Sequence, residues 1–394
     1  MADKKMRATQ RSKNHFCKKR CCLGWNTTFH TRRHPYHPNR AMLWTLRVRS
    51  FVPCKFSHPR GRISPSIIVD LMKRAATTQS PPEPLVVDGS HGEGGGQILR
   101  NSMTFACIFQ RSLRVHSIRA GRSKPGLKKQ HLVGLRLCAQ IAGGTLEGDK
   151  LQSSEISYHP LPEEIENESS TKTWFEGAVD TAGSICLVLQ AALPLVLFRH
   201  TNVPMTELIL KGGTNADMAP QYDYWERVFL PMFRKAFQLR ESFFSPRVIV
   251  RGYYPLGKGV VKVKVPTLLR PLLAFDLTDR GIVEHIYIRS FHAGKLQKYL
   301  AAKLAKAAEK CLRQELDLSN IELETEIVTE HKAEGSGLGI LLVATTSTGC
   351  KLGGSTIAQK REKAEDAGIR AAKELVTAIQ EGGCVDEWLQ DQVS

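Results

Sequence analysis

Acidic side chains are nearly missing from the first eighty residues of this 394-residue chain. That stretch holds 18 Lys and Arg against Asp3 and Asp70 alone, a net charge of +16. Self-repulsion and the lack of any sustained apolar periodicity exclude a packed core there. Long hydrophobic runs are missing too. The longest, from Ile185 to Phe198, is interrupted by Gln190 and Pro194 and is too short to span a bilayer. No apolar leader stands at the N-terminus, so secretion is not expected. The ten cysteines lack the spacing of a disulfide framework. Cys107, Cys138, Cys186, Cys311, Cys350 and Cys384 lie scattered, mostly inside apolar runs. They read as reduced, buried thiols of a cytosolic or nuclear protein. Residues 81–394 also lack charge excess, with 38 Lys and Arg against 36 Asp and Glu. Nucleic-acid contact in this body must come from local basic patches.

What is present at 1–80 is Arg, Lys, His, Cys, Pro and Ser. Three readings compete: a disordered extension outside the core, an Arg-rich organelle transit segment, and a basic arm for nucleic acid. Composition favours the first, and mitochondrial targeting remains the alternative for localisation. His15, Cys17, Cys21, Cys22, His30 and His34 do not follow zinc-finger spacing.

From Pro84 the chain becomes regular. Strands are expected at 85–88, 113–118, 145–147, 154–158 and 174–179. Helices are expected at 97–109, 128–142 and 183–195. The order then repeats, with a strand at 207–211, a helix at 220–237 and strands at 247–251 and 260–265. The expected fold class is α+β: repeated units of a sheet with two helices on one face, around a cleft. After Pro266 the pattern changes. Strands are expected at 272–276, 283–288, 320–328 and 338–346, and helices at 296–316 and 362–379. A small inserted α/β domain at 267–360 accounts for the change. The main domain is then 81–266 plus 361–394.

Four segments carry chemistry. The first is Asp88-Gly89-Ser90-His91-Gly92-Glu93-Gly94-Gly95-Gly96-Gln97-Ile98-Leu99-Arg100, a glycine-rich turn between strand and helix. Glycines there let backbone N–H groups approach an anion. Seven residues separate Glu93 from Arg100. A helix starting near Gly94 puts them on roughly one face. A carboxylate and a guanidinium at such a turn suit a phosphate with its metal ion. The second segment runs from Ile118 to His131 and contains Arg119, Arg122, Lys124, Pro125, Gly126, Lys128, Lys129 and Gln130. Its arginines suit bidentate phosphate binding, while Lys128 and Lys129 read as solvated. The third, Lys211 to Gln221, has Gly212-Gly213 before a Pro-started helix and suits a ligand-facing loop. The fourth, Asp386 to Gln392, sets an aromatic residue beside a carboxylate and carboxamides, as base recognition requires. A solvated turn or a frayed end explains each segment alone equally well.

Taken in order, these segments resemble the RNA 3′-terminal phosphate cyclases. Thr181-Ala182-Gly183-Ser184 and Gly252-Tyr253-Tyr254-Pro255 extend the match, which runs from about Pro84 to the end of the chain. The resemblance implies three repeated α+β units around a cleft, with an inserted domain. It implies ATP-dependent conversion of an RNA 3′-phosphate to a 2′,3′-cyclic phosphate through adenylated intermediates. Implied partners are ATP, Mg²⁺ or Mn²⁺, and RNA with a 3′-phosphate end; the implied compartment is the nucleus. Glu93 is then the metal ligand. Arg100, Arg119, Arg122, Gln130 and His131 surround phosphates. Gln190, Pro220, Trp388, Asp391 and Gln392 line the ATP site, with Trp388 where the family usually has Tyr.

Two departures stand out. Gly257-Lys258-Gly259 replaces a run of three glycines, which is expected to strain or re-aim that turn. The family's nucleophilic histidine lies beyond the Leu389-Gln390-Asp391-Gln392 string, and no histidine of this chain matches it. The chain as given is therefore expected not to adenylate itself. The alternative function is a non-catalytic scaffold, like the cyclase-like relatives of ribosome assembly. The retained glycine-rich and Arg119-Ala120-Gly121-Arg122 strings favour the enzyme.

Overall fold

A computed structural model describes residues 83–92, 94–162, 168–199, 201–268 and 272–393. These lie in a compact unit, Cys54–Ser394. The reading of 1–80 falls outside the described residues.

The repeat is visible in strand order. In the first unit, β1 (Leu85–Asp88), α1 (Gly96–Ile108) and β2 (Leu113–His116) form a parallel crossover. Next come α2 (Lys129–Ala142), β3 (Thr145–Glu147) and β4 (Ile156–His159). β4 runs antiparallel between β2 and β3, so the sheet order is β1-β2-β4-β3. The second unit repeats this plan. β5 (Trp174–Ala178), α3 (Ile185–Leu197) and β6 (Met205–Gly212) again make a parallel crossover. A helical segment α4 follows at 222–236, then β7 (Ser245–Gly252) and β8 (Gly259–Pro266). Its order, β5-β6-β8-β7, matches the first unit strand for strand.

Local chemistry explains these elements. The apolar run becomes α3, a helix buried nearly all round, with Ser184 Oγ accepting from the Leu187 N–H at its start. Pro194 sits inside this helix. α4 departs from the expected regular helix. Its middle, Trp225–Phe229, is a π-helical turn. Tyr222, Trp225, Phe229 and Phe233 follow one another as ring contacts with centroids 5.6–6.0 Å apart.

The third sheet has another plan. It comprises β9 (Val283–Ala293), β10 (Glu322–Glu330), β12 (Leu338–Thr346) and β13 (Lys351–Ile357), in the order β10-β9-β12-β13. α5 (Lys298–Glu315) connects β9 to its parallel neighbour β10. α6 (Ala364–Glu381) packs with α5, and Ala371, Ala372 and Leu375 join the core of this sheet. The short β11 (Ala333–Glu334) leaves it to pair with β7 of the second sheet. α7 (Glu387–Val393) ends the described chain.

Two local expectations fail. Residues 272–276 form no strand: Leu272 packs on the first core, and Phe275 meets Phe237 edge-on at 4.9 Å. β13 has no counterpart among the expected strands because Gly353-Gly354 masks it. A Cβ on Gly353 would lie 2.5 Å from the Tyr224 ring, and one on Gly354 would lie 2.4 Å from the Ala371 carbonyl. The glycines are there to let neighbours in.

Candidate phosphate site at the glycine-rich turn

The site is built at the start of α1. Gly92 and Gly94 hold positive φ, +64° and +55°, as the turn requires. The helix begins at Gly96, one residue before the expected start at Gln97, and its N-cap Gly95 makes no side-chain capping bond. Helix-start N–H groups therefore face the same space as the side chains around them. A Cβ on Gly96 would lie 2.4 Å from His131 Nε2 and 3.0 Å from Arg100 Nη1. One on Gly95 would lie 3.7 Å from Arg122 Nη2. Arg100 from α1, Arg122 from the loop after β2 and His131 from α2 thus converge on two glycines. Glu93, the expected metal ligand, lies outside the described residues.

Neighbours extend the cluster. Arg100 Nε donates to Gln190 Oε1 at 3.1 Å, tying α1 to α3. Gln130 Oε1 accepts from the Ser184 N–H at 3.3 Å. Arg119 is buried at φ +56°, and its Nη2 donates to the Lys124 carbonyl at 3.4 Å.

Among the described residues, the charges acting on His131 and Lys128 are all cationic. Burial, then Arg100, Arg119 and Lys128, push the His131 imidazole down to about 4, so it is neutral at pH 7. Burial lowers Arg100 to about 10, with Asp391 opposing. Arg119, together with burial, Lys124 and Arg122, lowers Lys128. Lys128 is thus exposed but belongs to the cluster, not to a bland solvated face. Two buried atoms here, Arg119 Nε and His131 Nδ1, make no hydrogen bond. Crowded cations with unsatisfied polar atoms are costly unless an anion completes them.

The other expected site residues scatter more. Pro220 is buried just before α4. Asp391 is exposed on α7 and couples to Arg100. The Trp388 indole N–H donates to Glu374 Oε1 at 2.6 Å, and Gln392 Nε2 donates to the Trp388 carbonyl at 3.0 Å. The indole edge is thus committed to a carboxylate on α6.

A second polar centre takes Asn215 and Gln221 from the expected ligand-facing loop into the interior, beside Asp223, Arg251, Arg289 and Glu330, which had no sequence reading. Asn215, in the loop after Gly212-Gly213, donates to Gln221 Oε1 at 2.9 Å and Asp223 Oδ2 at 3.3 Å. Arg251 grips Asp223 with two bonds of 2.9 and 2.7 Å. Arg289 reaches Asp223 at 3.4 Å and Glu330 at 2.5 Å, and Arg251 meets Glu330 at 3.2 Å. Burial alone would raise Asp223, but Arg251 and Arg289 overcome it and leave the carboxyl at about 2. The only signal in the sequence was an arginine inside each of the strands β7 and β9.

The polar half of the third segment, Thr214 and Asn215, therefore turns inward. Asp217 and Met218 face outward, Met218 at φ +56°. A sequence profile of the RNA 3′-terminal phosphate cyclases matches residues 91–394. The chain belongs to the RNA 3′-terminal phosphate cyclase family. It is 35% identical over 310 residues to a probable RNA 3′-terminal phosphate cyclase of Dictyostelium discoideum, covering 78% of this chain and 68% of that protein. It is 34% identical over 316 residues to the RNA 3′-terminal phosphate cyclase of Staphylothermus marinus, with coverages of 79% and 83%. The cyclase of Pyrococcus abyssi is 35% identical over 312 residues, with coverages of 78% and 84%. The match begins at the glycine-rich turn and takes in the cation cluster, the buried ion network and α7. No helix among the described residues is long and apolar enough to cross a membrane.

Proposed function

We propose that this protein serves ATP-dependent RNA 3′-terminal phosphate cyclisation, in which an RNA 3′-phosphate becomes a 2′,3′-cyclic phosphate through adenylated intermediates; its residues hold the phosphates, and none of its histidines is assigned as the adenylated nucleophile. The observation that carries this reading is the cation cluster. Arg100, Arg119, Arg122, Lys128 and a neutral His131 surround a glycine-rich helix start, with Arg119 Nε and His131 Nδ1 lacking partners. A phosphate supplies the missing acceptors, and a neutral imidazole adds a hydrogen bond without another charge.

The donor set also fits a nucleotide triphosphate. ATP, when bound, supplies the leaving group that activates the terminal phosphate. In this reading Arg100, kept in place by Gln190, and Arg122 hold phosphate oxygens. Arg119 and Lys128 neutralise charge that builds during transfer. Asp391 stands near Arg100 and restrains it. Pro220, Trp388 and Gln392 complete the nucleotide side, a divalent ion assists at Glu93, and the compartment is the nucleus. These last assignments rest on the family resemblance.

The test compares RNA ends. Binding of two oligoribonucleotides, identical but for a 3′-phosphate or a 3′-hydroxyl, is measured by fluorescence anisotropy. The phosphorylated end is expected to bind more tightly. Arg122→Ala should weaken it by about tenfold, the worth of one charge-assisted bond, and leave the hydroxyl end nearly unchanged. A scaffold that reads only the RNA body would ignore the end. Equal affinities for both ends would remove the reading.

A further inference from the structure

The free edge of the third sheet is closed by side chains instead of a strand. β13 is the last strand of that sheet. Its Gly353 N–H donates to Asp386 Oδ2 at 2.7 Å, and its Ser355 N–H donates to Glu374 Oε2 at 3.1 Å. These residues are two apart, so both groups leave the same edge of the strand. Unpaired edge N–H groups are where another strand docks. Here two carboxylates stand in for its carbonyls.

Each carboxylate uses its other oxygen on different elements. Asp386 Oδ1 accepts from Tyr224 Oη at 2.5 Å and from the Leu389 N–H at 2.9 Å, which caps α7. Glu374 Oε1 accepts the Trp388 indole N–H at 2.6 Å. Burial raises both carboxyls above their ordinary range. Glu374 sits beside the buried Ala371, Leu375 and Ala378 of α6, where an apolar side chain would cover the same surface without that penalty. Packing alone does not call for an acid at 374.

We infer that Glu374, acting with Asp386, is a positioning residue for α7. The pair fixes the Trp388 indole and the register of the helix on β13, and so fixes where Asp391 stands against Arg100. The inference deepens the proposed function, because it treats Trp388 and Asp391 as part of the nucleotide side of the site.

The test uses the full chain with Glu374→Met, Glu374→Gln, Trp388→Phe and the double variant Glu374→Met/Trp388→Phe. One readout is acrylamide quenching assigned to Trp388 by difference from Trp388→Phe. The other is affinity for ATP by calorimetry. Glu374→Met should expose the indole to quencher and weaken ATP binding by about tenfold, the worth of one charge-assisted bond. Glu374→Gln keeps one acceptor where two are used, so it can serve the Ser355 or the Trp388 N–H but not both and should give a smaller loss in each readout than Glu374→Met. Glu374→Met should add nothing once Trp388 is Phe, since the two act as one unit. Unchanged quenching and affinity in Glu374→Met, or effects that add independently, would overturn the inference. Should Glu374→Met fail to fold, the same cycle with Glu374→Gln decides, and additivity there overturns it. A wild-type protein that binds no ATP would defeat the nucleotide reading, while the quenching comparison still judges the positioning role.

Discussion

The cation cluster at α1 and the ion network around Asp223 both gather arginines, yet they differ in exposure: Arg122 and Lys128 reach solvent, while Arg251 and Arg289 are buried. Around Asp223, two guanidinium groups meet two carboxylates, and every partner is supplied by the chain. Around Gly96, Arg100, Arg119, Arg122, Lys128 and His131 gather with Asp391 as the acid coupled to Arg100. The network joins α4, β7, β9 and β10, so it holds two sheets and the Asn215 loop together, with Arg289 Nη1 making no hydrogen bond. At the cluster, Arg119 Nε and His131 Nδ1 are buried without a hydrogen-bond partner, and the phosphate reading rests on these two atoms.

The sharpest way to break this comparison is to unbalance the network. Asp223→Ala leaves Arg251 and Arg289 facing each other and should cost about 3–5 kcal/mol in urea denaturation. Any loss of RNA binding should then track unfolding. Acid separates the two regions next. His131 sits at about 4 against an ordinary 6.5, so between those values the unfolded chain binds a proton that the folded chain does not. Stability should fall as pH drops from 6.5 to 4, on the order of 2–3 kcal/mol, and His131→Asn should remove that slope. An oligoribonucleotide 3′-phosphate in the cluster favours the imidazolium and should flatten it. Asp223 acts in the same direction in a lower window: its contribution is intact above 3.8 and is lost only as pH falls towards 2.

Gly96→Ala tests the close approach. Its methyl would lie 2.4 Å from His131 Nε2, so the imidazole must move. A stability cost of about 1–3 kcal/mol is expected, with the preference for a 3′-phosphate end reduced in anisotropy titrations. The smallest effect belongs to Lys258, at φ +55° beside Gly257 at +65°. Lys258→Gly relieves a left-handed residue and should stabilise by about 0.5–1 kcal/mol after the entropy lost on fixing a glycine. The urea midpoint measures it, and phosphate binding should not change.

Much of the scaffold was legible. Val115, Leu135 and Leu189 fall on the buried sides of their elements because apolar spacing and burial share one cause. The sequence also singled out the glycine-rich turn with Arg100 and Arg122, and the structure brings these two side chains to Gly96 and Gly95. The part that was not legible depends on neighbours remote in sequence. Lys128 reads as a solvated lysine until Arg119 is beside it. Glu374 reads as the polar side of a helix until Ser355 and Trp388 reach it. The strand at 351–357 disappears behind two glycines whose reason is a ring and a helix backbone elsewhere.

By itself, the amino-acid order determined the family, the repeated α+β plan and the charge carried by each side chain. These depend on local spacing and on side-chain chemistry that travels with each residue. Only the tertiary structure decided which charges are paired. It placed Asp223 and Glu330 within reach of Arg251 and Arg289, and it left Arg119 Nε, His131 Nδ1 and Arg289 Nη1 without hydrogen-bond partners. Ionic and hydrogen-bonding partners act over a few ångströms, and distances that short between residues tens to hundreds of positions apart exist only once the chain has folded.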